Sequence, residues 1–163
     1  MSKQSELPNI AAVFAEVLNR VPREQQPLLL AYAERLAAKR YRAWAGQVGD
    51  DGHRSGLLAC ASREEEIAGL VEGVYPDAAA MQQRLLEANP DLLEINTKLF
   101  EPLSIEQQFQ LQAQGERLGA ATWRAFAAHA GDARAREVFL ECAPLEEESA
   151  ALLESIVGAK HTR

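Results

Sequence analysis

Apolar residues recur at helical spacing along most of this chain, in stretches separated by short polar breaks. Ile10, Val13, Phe14, Val17 and Leu18 mark one face of a short amphipathic helix near the start. A longer helix is expected from about Pro22 to Gln47, with proline suited to a first turn because its missing N–H is not needed there. Gly49-Asp50 then reads as a stop followed by a new N-cap, opening a second helix that runs to about Val74. The pattern returns at Ser104, where Gln107 stands three residues on in capping-box spacing. It breaks again at Gly131-Asp132 and continues to about Val157. Pro144 falls inside that last helix and is expected to kink it. Between the two pairs, "YPDAAAMQQRLLEANP" reads as a short helix and "DLLEINTKLFEPLS" as an irregular, apolar-rich strap.

The second pair copies the first. Sliding the chain by 82 residues superposes 24–74 on 106–156 without a gap, with identity at 24 of 51 positions. Shared Ala and Leu content does not produce so long an ungapped match, and a repeat of this kind is a statement about architecture. The expected fold is therefore all-α: a four-helix bundle made of a duplicated helical hairpin, with one long crossover and a short N-terminal helix. The whole of 1–163 forms one domain in this reading. The N-terminal helix lies in 1–21, hairpin one in 22–74, the crossover in 75–105 and hairpin two in 104–157. The N-terminal helix is expected to dock on the bundle rather than on a membrane.

Helical neighbours lie three, four and seven residues apart, and this spacing picks out four glutamates with apolar surroundings. Glu34 sits among Leu30, Ala31, Ala37, Ala38 and Tyr41, and Glu116 among Phe109, Ala113, Gly119, Ala120 and Trp123. Within the triplet 64–66, Glu64 has Leu57, Cys60, Ala61, Ile67 and Ala68, while in 146–148 it is Glu146 that faces Phe139, Cys142, Ala143 and Leu153. The offset pairs Glu34 with Glu116 and Glu64 with Glu146. A buried, unpaired carboxylate costs several kcal/mol. Four of them must share protons, pair with arginines from other helices, or hold cations. Arg35, Arg42, Arg117 and Arg124 are duplicated too, but lie off the Glu34 and Glu116 stripes. Two divalent ions would neutralise four carboxylates, and hard oxygen ligands suit iron(II) or manganese(II).

Composition narrows the partners. The formal net charge is -7 with no basic cluster, which argues against nucleic acid and anionic membrane. No apolar run reaches the ~20 residues of a membrane span. "MSKQSELPNI" lacks the layout of a secretion signal, and two cysteines without one read as reduced thiols, so a cytoplasmic protein is expected. Hydrophobic residues make up 47% of 163, enough for a real core.

With its matched glutamates, duplicated hairpins and "AERLAAKRYRAWA" around Glu34, the chain resembles the ferritin-like superfamily, which includes ferritins, rubrerythrins and related di-iron or di-manganese carboxylate proteins. The resemblance covers about residues 20–157 and implies metal ligands at Glu34, Glu64, Glu116 and Glu146. The family pattern also places Glu-x-x-His on the second and fourth helices. Here those histidine places hold Ile67 and Ser149, and no shift of register supplies a histidine. His53, His129 and His161 have no spacing for a core site. The catalytic activity of the family is therefore not carried over, and no catalytic residue is assigned.

Three functions stay open on these residues. The first is a divergent metal-binding bundle with an all-carboxylate centre for iron or manganese storage or redox chemistry. The second is a metal-free, non-catalytic bundle serving binding or assembly, expected as a homodimer. The third is a carrier of an apolar ligand in the space a lost metal site leaves. Cys60 and Cys142, each one turn before an inward glutamate, read as buried packing thiols, and Tyr41 and Trp123 as core fillers.

Overall fold

The computed structural model describes residues 6–160. It is all-helical, with no strand among the described residues. Among the described residues seven α-helices follow one another: α1 (Ile10–Asn19), α2 (Gln26–Ala45), α3 (Asp51–Glu72), α4 (Ala78–Ala88), α5 (Leu92–Phe100), α6 (Ile105–His129) and α7 (Ala133–Lys160). A single 3-10 turn, Arg23–Gln25, precedes α2.

Helix starts follow side-chain chemistry. Asn9 accepts from the Ala12 N–H at 3.1 Å, and Asp50 from the His53 N–H at 2.8 Å. At Ser104 the full capping box forms, with Ser104 and Gln107 each bonding the other's backbone N–H. These bonds satisfy N–H groups that the first turn of a helix leaves without partners. Pro22 stands outside α2 as the cap of the 3-10 turn, and Pro27 takes the first-turn role instead. The glycine stops work differently from the expectation. No described glycine has positive φ, so α2 and α3 end on Gly46 and Gly73 in ordinary right-handed geometry.

One further expectation is corrected. The apolar strap after Pro90 is not irregular, because nine of its residues coil into α5, which buries Leu92 and Phe100. Helix α7 continues through Pro144, which stands inside it.

α2 packs along α3, α6 packs along α7, and α3 meets α7 across the pairs. The ion pairs on the outside of each pair recur at the spacing of 82 residues. Arg35–Glu72 (2.6 Å) and Arg42–Glu65 (2.7 Å) join α2 to α3. Arg117–Glu154 (2.9 Å) and Arg124–Glu147 (2.7 Å) join α6 to α7. α1 lies against α6, and α4 lies against α2.

The interior of the long helices holds two apolar clusters. One gathers Leu30, Ile67, Val71, Trp123 and Phe139. The other gathers Tyr41, Trp44, Leu57, Phe109 and Leu153. On each long helix one glutamate falls between the segment serving one cluster and the segment serving the other.

Candidate functional site

The four glutamates singled out by spacing are all buried: Glu34 at 6% exposure, Glu64 at 0%, Glu116 at 1% and Glu146 at 1%. Each comes from a different long helix, so they form one polar layer between the apolar clusters. Their triplet companions Glu65, Glu66 and Glu148 are exposed, and Glu147 is half-buried. Carboxylate oxygens of Glu34, Glu64 and Glu146 lie within 4.8 Å of one another. Glu116 is outside this triad and is held to one side: its Oε1 accepts from the Tyr41 hydroxyl at 2.6 Å and from Gln112 Nε2 at 2.7 Å.

The remaining bonds divide unequally. Trp123 Nε1–H donates to Glu146 Oε1 at 2.7 Å, and the Ser149 hydroxyl donates to Glu64 Oε1 at 3.2 Å. Oε2 of Glu64 and Oε2 of Glu116 are buried with no hydrogen-bond partner. An orphaned acceptor inside a core carries a desolvation cost of about 1–3 kcal/mol, more when charged. Gly119 on α6 is where the layer is tightest. A Cβ there would stand 2.7 Å from Glu146 Oε1 and 2.9 Å from its Cδ, so the carboxylate occupies room that only glycine leaves.

Burial is the main influence on protonation. It pushes Glu34 up to about 7, with the neighbouring Glu116 charge adding to the rise. Glu64 and Glu146 are held well above the carboxylate range, first by burial and then by the other carboxylates. Glu34 approaches both Glu64 and Glu146, contacts that a shared proton makes attractive. Without a cation the layer is therefore partly protonated.

The duplicated arginines do not balance these charges, since all four are committed to exposed or half-buried glutamates on the outer faces. Arg40, which the stripes did not mark, comes nearest. It donates to Gln112 Oε1 at 2.9 Å and 3.1 Å and to Asn96 Oδ1 at 3.3 Å, and lies over the Phe100 ring at 3.8 Å. Burial lowers it to about 10. Arg63 was also missed: it donates to Ser149 Oγ at 3.1 Å and Cys60 Sγ at 3.2 Å.

At the two places where the family pattern has histidine, Ile67 is apolar core and Ser149 bonds Glu64. His53 and His129 lie in the first turn of α3 and at the last residue of α6, and His161 lies outside the described residues. Cys60 and Cys142 are buried free thiols, both raised by burial, Cys142 to about 12. Tyr41 and Trp123 fill core space as expected, and each also donates to a carboxylate of the layer. That second role depends on which side of the ring meets the glutamate, which helical spacing does not encode.

A cavity of about 150 Å³ lies between α1, α2, α5 and α6, with Glu34, Glu116 and Glu146 among its lining residues. No helix among the described residues is long and apolar enough to cross a membrane. The fold and the site together define an all-α protein with a buried layer of four carboxylates. No protein-family model, curated protein or solved structure matches the chain.

Proposed function

We propose that this protein is a divergent ferritin-like four-helix bundle, built from a duplicated hairpin, that binds a hard divalent cation at Glu34, Glu64 and Glu146. The observation that carries the reading is the convergence of those three carboxylates to within 4.8 Å, with Glu64 Oε2 left without a donor. All-oxygen ligation suits manganese(II) or iron(II). It suits magnesium less, because that ion gives up its waters reluctantly and this layer is enclosed. The triad accounts for one ion. A second ion requires Glu116 to exchange its Tyr41 and Gln112 donors for a metal, which makes the site asymmetric where the sequence repeat is not. In the absence of nitrogen ligands the reading is storage or simple binding, with no catalytic step assigned.

The test is metal content after dialysis of chelator-treated protein against manganese(II), or against iron(II) without oxygen. About one equivalent per chain, lost in Glu34→Gln and Glu64→Gln, supports the reading. Folded protein that stays metal-free overturns it.

A second reading is a metal-free bundle used for binding or assembly, and two observations favour it. Tyr41, Gln112, Trp123 and Ser149 already give the carboxylates four neutral donors. Leu58 and Leu140, at matched places of the repeat, are exposed at 45% and 50%, as a dimer face requires.

A further inference from the structure

We infer that the cavity between α1, α2, α5 and α6 binds a slender apolar molecule ended by a hydrogen-bond-donating head group, with α1 as its outer wall. The inference goes beyond the cation reading and does not depend on it.

Three observations carry it. α1 has an apolar face but buries none of its residues: Ile10, Val13 and Phe14 line the cavity, and Ile10 also packs on Gly115 of α6. Leu36 and Leu99 continue the same apolar wall. Glu116, also in the lining, is 1% exposed, and its Oε2 has no hydrogen-bond donor. An apolar cavity with an unmet acceptor in its lining suits an alkyl or aryl group carrying an O–H or N–H. Size follows from volume: a dry cavity of about 150 Å³ holds benzene, so roughly six carbons fit.

Charge decides the head group. Glu34, Glu116 and Glu146 meet the cavity together with one cation, Arg40. That guanidinium is already engaged by Gln112, Asn96 and the Phe100 ring. A carboxylate head would set its own oxygens against the Glu116 acceptor, whereas an alcohol or a primary amine donates to it.

The test uses the full chain, freed of metal with chelator, and hexan-1-ol, hexylamine and hexanoate as probes. Calorimetric titration is expected to show saturable binding of the alcohol or the amine and none of hexanoate. Val13→Trp plugs the cavity from its half-exposed wall and abolishes that binding while the helical signal is kept. Glu116→Gln turns the acceptor edge into a donor and weakens it about tenfold. Hexanoate binding as tightly as hexan-1-ol, no binding of any probe, or unchanged binding in Val13→Trp overturns the inference. Metal uptake is read separately, so alcohol binding without manganese uptake sinks only the cation reading.

Discussion

Gly119 and Glu146 are fitted to each other: the carboxylate of one occupies the space where the other would carry a methyl group, 2.7 Å from Oε1. The repeat places Ala37 opposite Gly119, so the missing methyl is a difference between the hairpins and serves Glu146 alone. Gly119→Ala forces either α6 or Glu146 to move. We expect a loss of about 1–3 kcal/mol in metal-free protein, despite the better helix propensity of alanine. Manganese uptake falls with it, because Glu146 leaves the triad. Chemical denaturation and metal content on the same preparation check both outcomes.

The metal-free protein should weaken as pH rises. Glu34 is raised from 4.5 to about 7, so the folded state holds its proton more tightly than the unfolded chain. That contribution is complete below about pH 4.5 and disappears as pH passes through about 7. Glu64 and Glu146, also raised, extend the loss in the same direction. Cation binding reverses the trend, since the ion replaces protons and its affinity grows over the same window. Melting temperatures at pH 5 and pH 8, with chelator and with manganese(II), are the measurement. A chelated sample more stable at pH 8 contradicts the expectation.

Glu34→Gln removes the charge and keeps the shape. In chelator it should raise the melting temperature at pH 8 and change it little at pH 5, where the carboxyl is already protonated. With manganese(II) present the order inverts, and the wild-type protein is the more stable.

Tyr41→Phe leaves Glu116 Oε1 with Gln112 as its donor and costs about 1–2 kcal/mol by denaturant titration. By contrast, Arg35→Ala and Arg117→Ala break exposed ion pairs, and each costs less than about 1 kcal/mol. The contrast separates the interior layer from the outer faces.

Neither cysteine should react in the native state. Cys60 and Cys142 are fully buried, and burial disfavours the thiolate that does the chemistry. A thiol reagent at pH 8 is expected to find none in folded protein and both after denaturation.

Much of this is legible in the sequence. Glu34, Glu116 and the inward member of each glutamate triplet follow from their neighbours three, four and seven positions away, and the structure buries all four. The cap at Ser104 follows from chemistry within four residues. What escaped was set by contacts between distant parts of the chain. Arg40 reaches Gln112 across 72 residues, and nothing on its own helix announces that meeting. Tyr41 bonds the glutamate of the other hairpin, while Trp123, at the matched place, bonds one within its own. A perfect repeat would have implied equal partners. The strap was misread because Ile95, Asn96 and Thr97 are weak helix formers, yet burial of Leu92 and Phe100 outweighs their preference.

The four recurring ion pairs all fasten a helix to its own hairpin partner. Across the seam between the halves, the side-chain bonds include Tyr41–Glu116, Trp44–Gln108, Arg40–Gln112, Arg63–Ser149 and Ser149–Glu64, with one unrepeated ion pair, Arg63–Glu148 at 3.6 Å. Each hairpin thus has its own outer rivets, and the grip between halves depends in part on whether the acids at the joint are neutral, charged or bridged. Anything that changes that state acts as a clasp on the whole molecule, loosening or locking two preassembled pieces rather than melting one.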